Sequence, residues 1–167
     1  MRHIILIAHN LRSTHNVGSL LRTAEGLGIQ KVYFTGYTPY PQADQDERMP
    51  HLAQKLQRQI EKVALGAEAH MSWQHADTIE PILQDLRQQG FTIAALEQVE
   101  GSIALPSYAV PEKIALIIGR EVEGIESSVL KLVDICLEIP MFGKKESFNV
   151  VQAAAMALYH CKFYGKS

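Results

Sequence analysis

Short runs of almost wholly apolar, β-branched residues alternate along this chain with segments patterned as helices, and that alternation narrows the choice of fold more than any other feature. The runs fall at 3–8, 31–35, 92–96, 113–118 and 135–139. A strand apolar on both faces has no side to offer water, so these strands belong in a parallel sheet covered by helices on both faces. Between them, Val17, Leu20, Leu21, Ala24 and Leu27 mark one face of a helix that stops at Gly28. Further helices are expected at 51–63, at 78–89 before Gly90, at 127–132 and at 147–164, with a short strand near 70–73. The stretch 37–50, rich in Pro, Gln and Asp, reads as an exposed loop. At 167 residues the whole chain fits one α/β domain.

The last helix is unlike the others. Val150, Val151, Ala153, Ala154, Ala155, Met156, Ala157 and Leu158 leave its first half almost no polar face. Such a helix is expected to be buried on all sides. In a small α/β domain that calls for a second copy of the chain over it, or else a central place in the core of a monomer.

Several function classes are disfavoured. The net charge of −2 gives no global basic field, so any nucleic-acid contact must come from a local patch. There is no GxGxxG, GxSxG or HExxH, and the seven histidines show no paired ligand spacing, so no metal is expected. Gly165-Lys166-Ser167 mimics the end of a phosphate loop, but His160 stands where its first glycine belongs. Cys136 and Cys161 form no CxxC pair and read as buried free thiols of a reducing, cytoplasmic environment. The apolar start at 4–7 is too short for a signal peptide core or a membrane span.

Three polar islands remain, each at the end of an expected strand, the edge where open α/β sheets bind ligands. The first runs from Asn10 through Arg12, His15, Asn16 and Gly18 to Arg22. Arg22 sits among Leu20, Leu21 and Ala24, where a buried charge needs a partner; Asn16 suits a helix N-cap. The second is Ile118-Gly119-Arg120-Glu121-Val122-Glu123-Gly124, a strand end and a charged turn between glycines that let backbone come close to a ligand. The third is Ile139-Pro140-Met141-Phe142-Gly143-Lys144-Lys145-Glu146-Ser147-Phe148-Asn149. Ser147 reads as the N-cap of the last helix, with Asn149 facing inward and needing hydrogen bonds. Taken singly, each island also fits an ordinary cap or βα turn.

In this order and spacing the islands resemble the three motifs of the SpoU RNA methyltransferases of the SPOUT superfamily, and Gly66-Ala67-Glu68 with Trp73 resembles that family's middle region. The resemblance covers nearly the whole chain. It implies a parallel-sheet α/β fold with a deep C-terminal trefoil knot, a homodimer joined through the first and last helices, and S-adenosylmethionine as methyl donor. The donor would lie against Leu96 and Glu97, Ile118, Gly119, Glu121 and Gly124, Ile139 and Met141, and Ser147, Phe148 and Asn149. Two departures stand out: Arg120 where many members carry Asn, and Phe148 where Leu is frequent. With strand one at His3, the N-terminal RNA-binding segment of many members is expected to be absent.

The implied reaction moves a methyl group onto a ribose 2′-hydroxyl of tRNA or rRNA, with Arg22, Asn16, Glu121, Ser147 and Asn149 as its catalytic set. Arginine, with a pKa above about 12, is a poor base. Arg22 is better suited to gripping the neighbouring phosphate and stabilising a developing alkoxide, across the dimer interface, with Asn16 and Glu121 orienting it or the ribose. Arg12, His15, Arg22, Arg120, Lys144 and Lys145 would form the local basic patch for RNA. The alternatives are a base methyltransferase of the same superfamily, a catalytically silent RNA-binding dimer, and a flavodoxin-like nucleotide module. The Glu146-Ser147-Phe148-Asn149 motif favours ribose over base, and the missing phosphate loops disfavour the module.

Overall fold

The apolar runs form the strands expected of them. In this computed structural model, which describes residues 2–164, β1 is His3–His9, β2 Lys31–Thr35, β3 Trp73–Ala76, β4 Thr92–Leu96, β5 Ile103–Ala104, β6 Lys113–Ile118 and β7 Ile135–Glu138. The helices are α1 Thr14–Gly26, α2 Pro50–Ala64, α3 Ala67–His70, α4 Glu80–Gln88, α5 Ser127–Leu130 and α6 Val150–Phe163. One seven-stranded sheet results, in the order β3-β2-β1-β6-β4-β7-β5, with every pairing parallel. All strand C-termini therefore share one edge. Gly165-Lys166-Ser167 lie outside the described residues.

Burial explains why the strands are apolar throughout. On β1, Ile4, Leu6 and Ala8 join one core with Val17, Leu20 and Leu21 of α1, Ile60 of α2 and Ala154, Ala157 and Leu158 of α6. Ile5 and Ile7 point the other way, to Leu83 and Leu86 of α4 and Val129 of α5. β6 divides in the same way, Ile114, Leu116 and Ile118 against Ala115 and Ile117, as the two-residue period of a strand requires. Backbones of α1 and α2 come close at Gly18, where a Cβ would stand 2.7 Å from the Ile60 carbonyl oxygen.

Several expectations need correction. The N-cap of α1 is Ser13, whose Oγ accepts the Asn16 amide at 3.1 Å, so the helix starts ahead of Asn16. The short strand lies at Trp73–Ala76, because 67–70 coils into α3 first. Loop 37–49 is braced: Arg48 lies 3.6 Å over the Tyr40 ring, which stacks on His75 at 4.0 Å, and Arg48 Nε donates to Asp46 at 2.8 Å. Cys161 is buried as expected, but Cys136 only half so. Of the two places open to α6, the centre of a monomer core is set aside, since the helix is not enclosed within its own chain. Gln152, Met156, Tyr159 and Phe163 stand exposed along it, on a stripe of helical spacing. No helix among the described residues is long and apolar enough to cross a membrane.

Candidate active site

At the carboxyl edge, the loops after β4, β6 and β7 close around a cleft of about 710 Å³ counted out to its open mouth, in the usual range for small-molecule sites. Ten of the eleven residues expected to hold a methyl donor line it: Leu96, Glu97, Ile118, Gly119, Glu121, Gly124, Ile139, Met141, Ser147 and Phe148. Asn149 is the exception. It is exposed at the surface and caps α6, its Oδ1 accepting the Val151 amide at 2.9 Å. The cap falls there rather than on Ser147 because Ser147 and Phe148 belong to the loop that walls the cleft. Gln98, Val122, Leu137, Glu138, Glu146, Val150 and Ala153 also line it. Of these, Val122 and Glu146 fall within the second and third islands, while Gln98, Leu137, Glu138, Val150 and Ala153 were not singled out as site residues.

The loop after β6 is folded tightly on itself. Arg120 and Gly124 exchange backbone hydrogen bonds at 3.2 and 3.1 Å, and Arg120 Nε also donates to the Gly124 carbonyl at 3.3 Å. At Gly119 a Cβ would lie 2.5 Å from Ile125 Cγ1, and at Gly124, with φ +71°, 2.2 Å from Glu97 Oε2. Only glycine fits either place. Glu97 Oε2 in turn accepts the Ile125 amide at 2.9 Å and joins the loops after β4 and β6.

Glu121 connects the second island to the first. Its Oε1 accepts Asn16 Nδ2 at 3.1 Å and the backbone amides of Ser13 and Arg12 at 3.2 and 3.3 Å. Burial pushes this carboxyl up, but the hydrogen bonds from its own amide, Asn16, Ser13 and Arg12 outweigh it and hold the group below its usual value. Neither Asn16 nor Glu121 touches Arg22 of the same chain. Arg22 itself is exposed on α1, makes no hydrogen bond or ion pair with any described residue, and does not line the cleft. The buried, paired arginine expected from its apolar neighbours is not what forms: Leu20, Leu21 and Ala24 turn inward and Arg22 faces outward.

Arg12, His15, Lys144 and Lys145 are all exposed, and none of them lines the cleft. Arg12 reaches Glu123 at 3.3 Å. Lys145 lies 3.8 Å from Glu146 with both side chains in solvent, a contact of little energetic weight. Arg120 is half-buried in the turn, its Nε already engaged.

A buried polar cluster beside the cleft gave no sequence signal. His9 is only 6% exposed at the end of β1. Its Nδ1 lies 2.8 Å from Thr35 Oγ1 and its Nε2 3.3 Å from Glu126 Oε1. Burial lowers the His9 pKa despite the opposing pull of Glu126. The neutral Nε2–H tautomer satisfies both partners, accepting from Thr35 and donating to Glu126. Asn10 Nδ2 donates to the same carboxylate oxygen at 2.7 Å. No cluster of His, Cys, Asp and Glu able to hold a metal occurs among the described residues.

Residues 3–159 match the SpoU rRNA Methylase family, and the chain belongs to it. It is 28% identical over 155 residues to the 23S rRNA (guanosine-2′-O-)-methyltransferase RlmB of Neisseria meningitidis serogroup B, an alignment covering 93% of this chain and 56% of that protein. The chain thus spans little more than half the length of that relative, and only 9% of a mouse tRNA (guanosine(18)-2′-O)-methyltransferase, TARBP1, to which it is 29% identical over 93% of its own length. In fold it is similar to the A. aeolicus TrmH/SpoU tRNA modifying enzyme, with TM-score 0.78 and 20% identity over 97% of this chain and 75% of that one.

Proposed function

We propose that this chain transfers a methyl group from S-adenosylmethionine to a ribose 2′-hydroxyl of tRNA or rRNA. The observation that carries the proposal is the cleft, where the second and third polar islands meet at one sheet edge and Glu121 ties in the first. The 2′-O-methyltransferase names of the Neisseria and mouse relatives support ribose as the acceptor.

The cleft suits the methyl donor in charge and in shape. Glu97, Glu121, Glu138 and Glu146 line it against the lone basic Arg120, which favours a ligand carrying a sulfonium and an ammonium group. Leu96, Ile118, Leu137, Ile139, Met141 and Phe148 offer apolar walls for a purine. Bound there, S-adenosylmethionine supplies an electrophilic methyl group. The protein's task is then to place the hydroxyl in line and to ease loss of its proton.

Arg22 takes the part of a phosphate clamp and alkoxide stabiliser, and it acts on the cleft of a second copy. Its absence from the lining of its own cleft supports this, as does the packing of α1 against α6, whose exposed stripe of Met156, Tyr159 and Phe163 gives a partner subunit a surface to cover. The proposal includes a deep trefoil knot in the last third of the chain. In its support, β6 enters between the earlier β1 and β4, β7 lies outside β4, and α6 returns to touch β1, β4 and β6. A reducing cytoplasm accords with the two free thiols.

The test is incubation with methyl-labelled S-adenosylmethionine and total RNA, followed by digestion to nucleosides. Label in 2′-O-methylnucleosides is the expected result. Label in base-methylated nucleosides would replace ribose with a base as the acceptor. Absence of transfer, or an Arg22→Ala variant as active as the wild type, would overturn the mechanism.

A further inference from the structure

We propose that Tyr37 and Phe142 are stacking platforms for unpaired RNA bases on either side of the cleft, so that the substrate crosses the carboxyl edge as a single strand. This rests on the RNA methyl transfer proposed above. Phe142 lies bare to solvent at 97% exposed and Tyr37 is half exposed at 53%, so neither ring is part of the core.

Their places in the sheet set the geometry. Tyr37 follows β2 and Phe142 follows β7, at the same edge. With β2, β1, β6, β4 and β7 as successive neighbours, four strand spacings separate the two loops, roughly 20 Å. The cleft opens between them, above β6, β4 and β7. That span has room for several nucleotides with the reacting one near the middle.

Tyr37 is held in position. Its amide donates to Asn10 Oδ1 at 3.1 Å. Asn10 and Gly36 both adopt positive φ, and a Cβ on Gly36 would fall 1.8 Å from that same Asn10 oxygen. Cations accompany each ring. The Tyr37 phenol, followed by Glu123, pushes the neighbouring Arg12 guanidinium above its usual value, and Lys144 and Lys145 follow Phe142 in its own loop. Exposed rings interleaved with cations complement a chain that alternates flat bases with phosphates. A paired helix keeps its base faces stacked inside and presents none to these rings.

Fluorescence anisotropy decides the matter, using a fluorescein-labelled single-stranded RNA of mixed sequence and the same strand annealed to its complement. Tyr37→Ala and Phe142→Ala are each expected to weaken single-strand binding about ten-fold or more while leaving duplex binding unchanged. Tyr37→Trp and Phe142→Trp should retain it. Because both side chains are exposed, melting curves of all four variants should match the wild type. Alanine variants that bind the single strand like the wild type, equal losses on single strand and duplex, or a wild type that binds no RNA would overturn the proposal. Anisotropy needs no methyl donor, so a wild type that binds RNA through these rings but transfers no methyl group would refute the activity alone.

Discussion

The Asn16 side-chain amide donates to Glu121 Oε1 at 3.1 Å, joining the start of α1 to the turn after β6. Two of the three polar islands are thus one structural unit, and Glu121 serves as its brace. Glu121→Gln keeps the shape but puts a donor where donors already converge. A loss of about 1 kcal/mol is expected from the half-buried amides of Ser13 and Asn16 left without their acceptor, read as a lowered midpoint in urea unfolding. An unchanged midpoint would remove Glu121 from this bracing role.

Acid should unfold the protein in two stages. Burial holds folded His9 below its ordinary 6.5, so as pH falls below 6.5 the unfolded chain takes up a proton that the folded one resists, and stability declines. Glu121 and Glu126 are pushed up by burial but held lower still by their hydrogen bonds, ending below 4.5. Their contribution is intact above 4.5 and lost as pH drops through their folded values. Melting temperature followed against pH should show both stages, and His9→Gln should flatten the upper one. A wild-type melting temperature constant from 6.5 down to 4.5 would contradict this account.

Gly124 has two reasons to be glycine, its positive φ and the 2.2 Å that would separate a Cβ from Glu97 Oε2. Gly124→Ala is expected to cost about 1–3 kcal/mol and, by calorimetry, to weaken S-adenosylmethionine binding ten-fold or more. Gly143→Ala, with nothing within 4 Å of the added methyl, is the control and should leave both nearly unchanged. If the two variants behave alike, steric closure of this loop does not shape the cleft.

Arg22→Ala and Gly124→Ala should each lose methyl transfer as pure proteins. Mixed, unfolded together and refolded, they should regain part of it if the proposed dimer forms, since a hybrid would carry one intact cleft facing one intact Arg22. No recovery, in a sample shown by light scattering to be dimeric, would place Arg22 in its own subunit's chemistry. Tyr159→Glu, which puts a charge on the exposed α6 stripe, should shift the protein towards monomer in the same scattering measurement.

The strands were legible because β1 and β6 are apolar on both faces, a pattern only a doubly covered parallel sheet produces. Much of the cleft was legible as well, since glycines and polar residues gather where such strands end. Finer placement was not. Ser13 and Asn16 are both good caps, as are Ser147 and Asn149, and tertiary contacts chose between them. The exposure of Arg22 depends on how α1 is rotated against the sheet, which apolar neighbours on a helix fix only loosely. His9 gave no sign because Thr35 lies 26 residues away and Glu126 much further along the chain.

The position of β6 carries a consequence for how the molecule is made. It fills the slot between β1 and β4, yet residues 113–118 leave the ribosome after both. Until then the nascent chain can pair only β1, β2 and β3, because β4 and β5 find their neighbours in β6 and β7. An aborted translation product ending before β6 would therefore have no continuous sheet and would lack two of the three loops that wall the cleft.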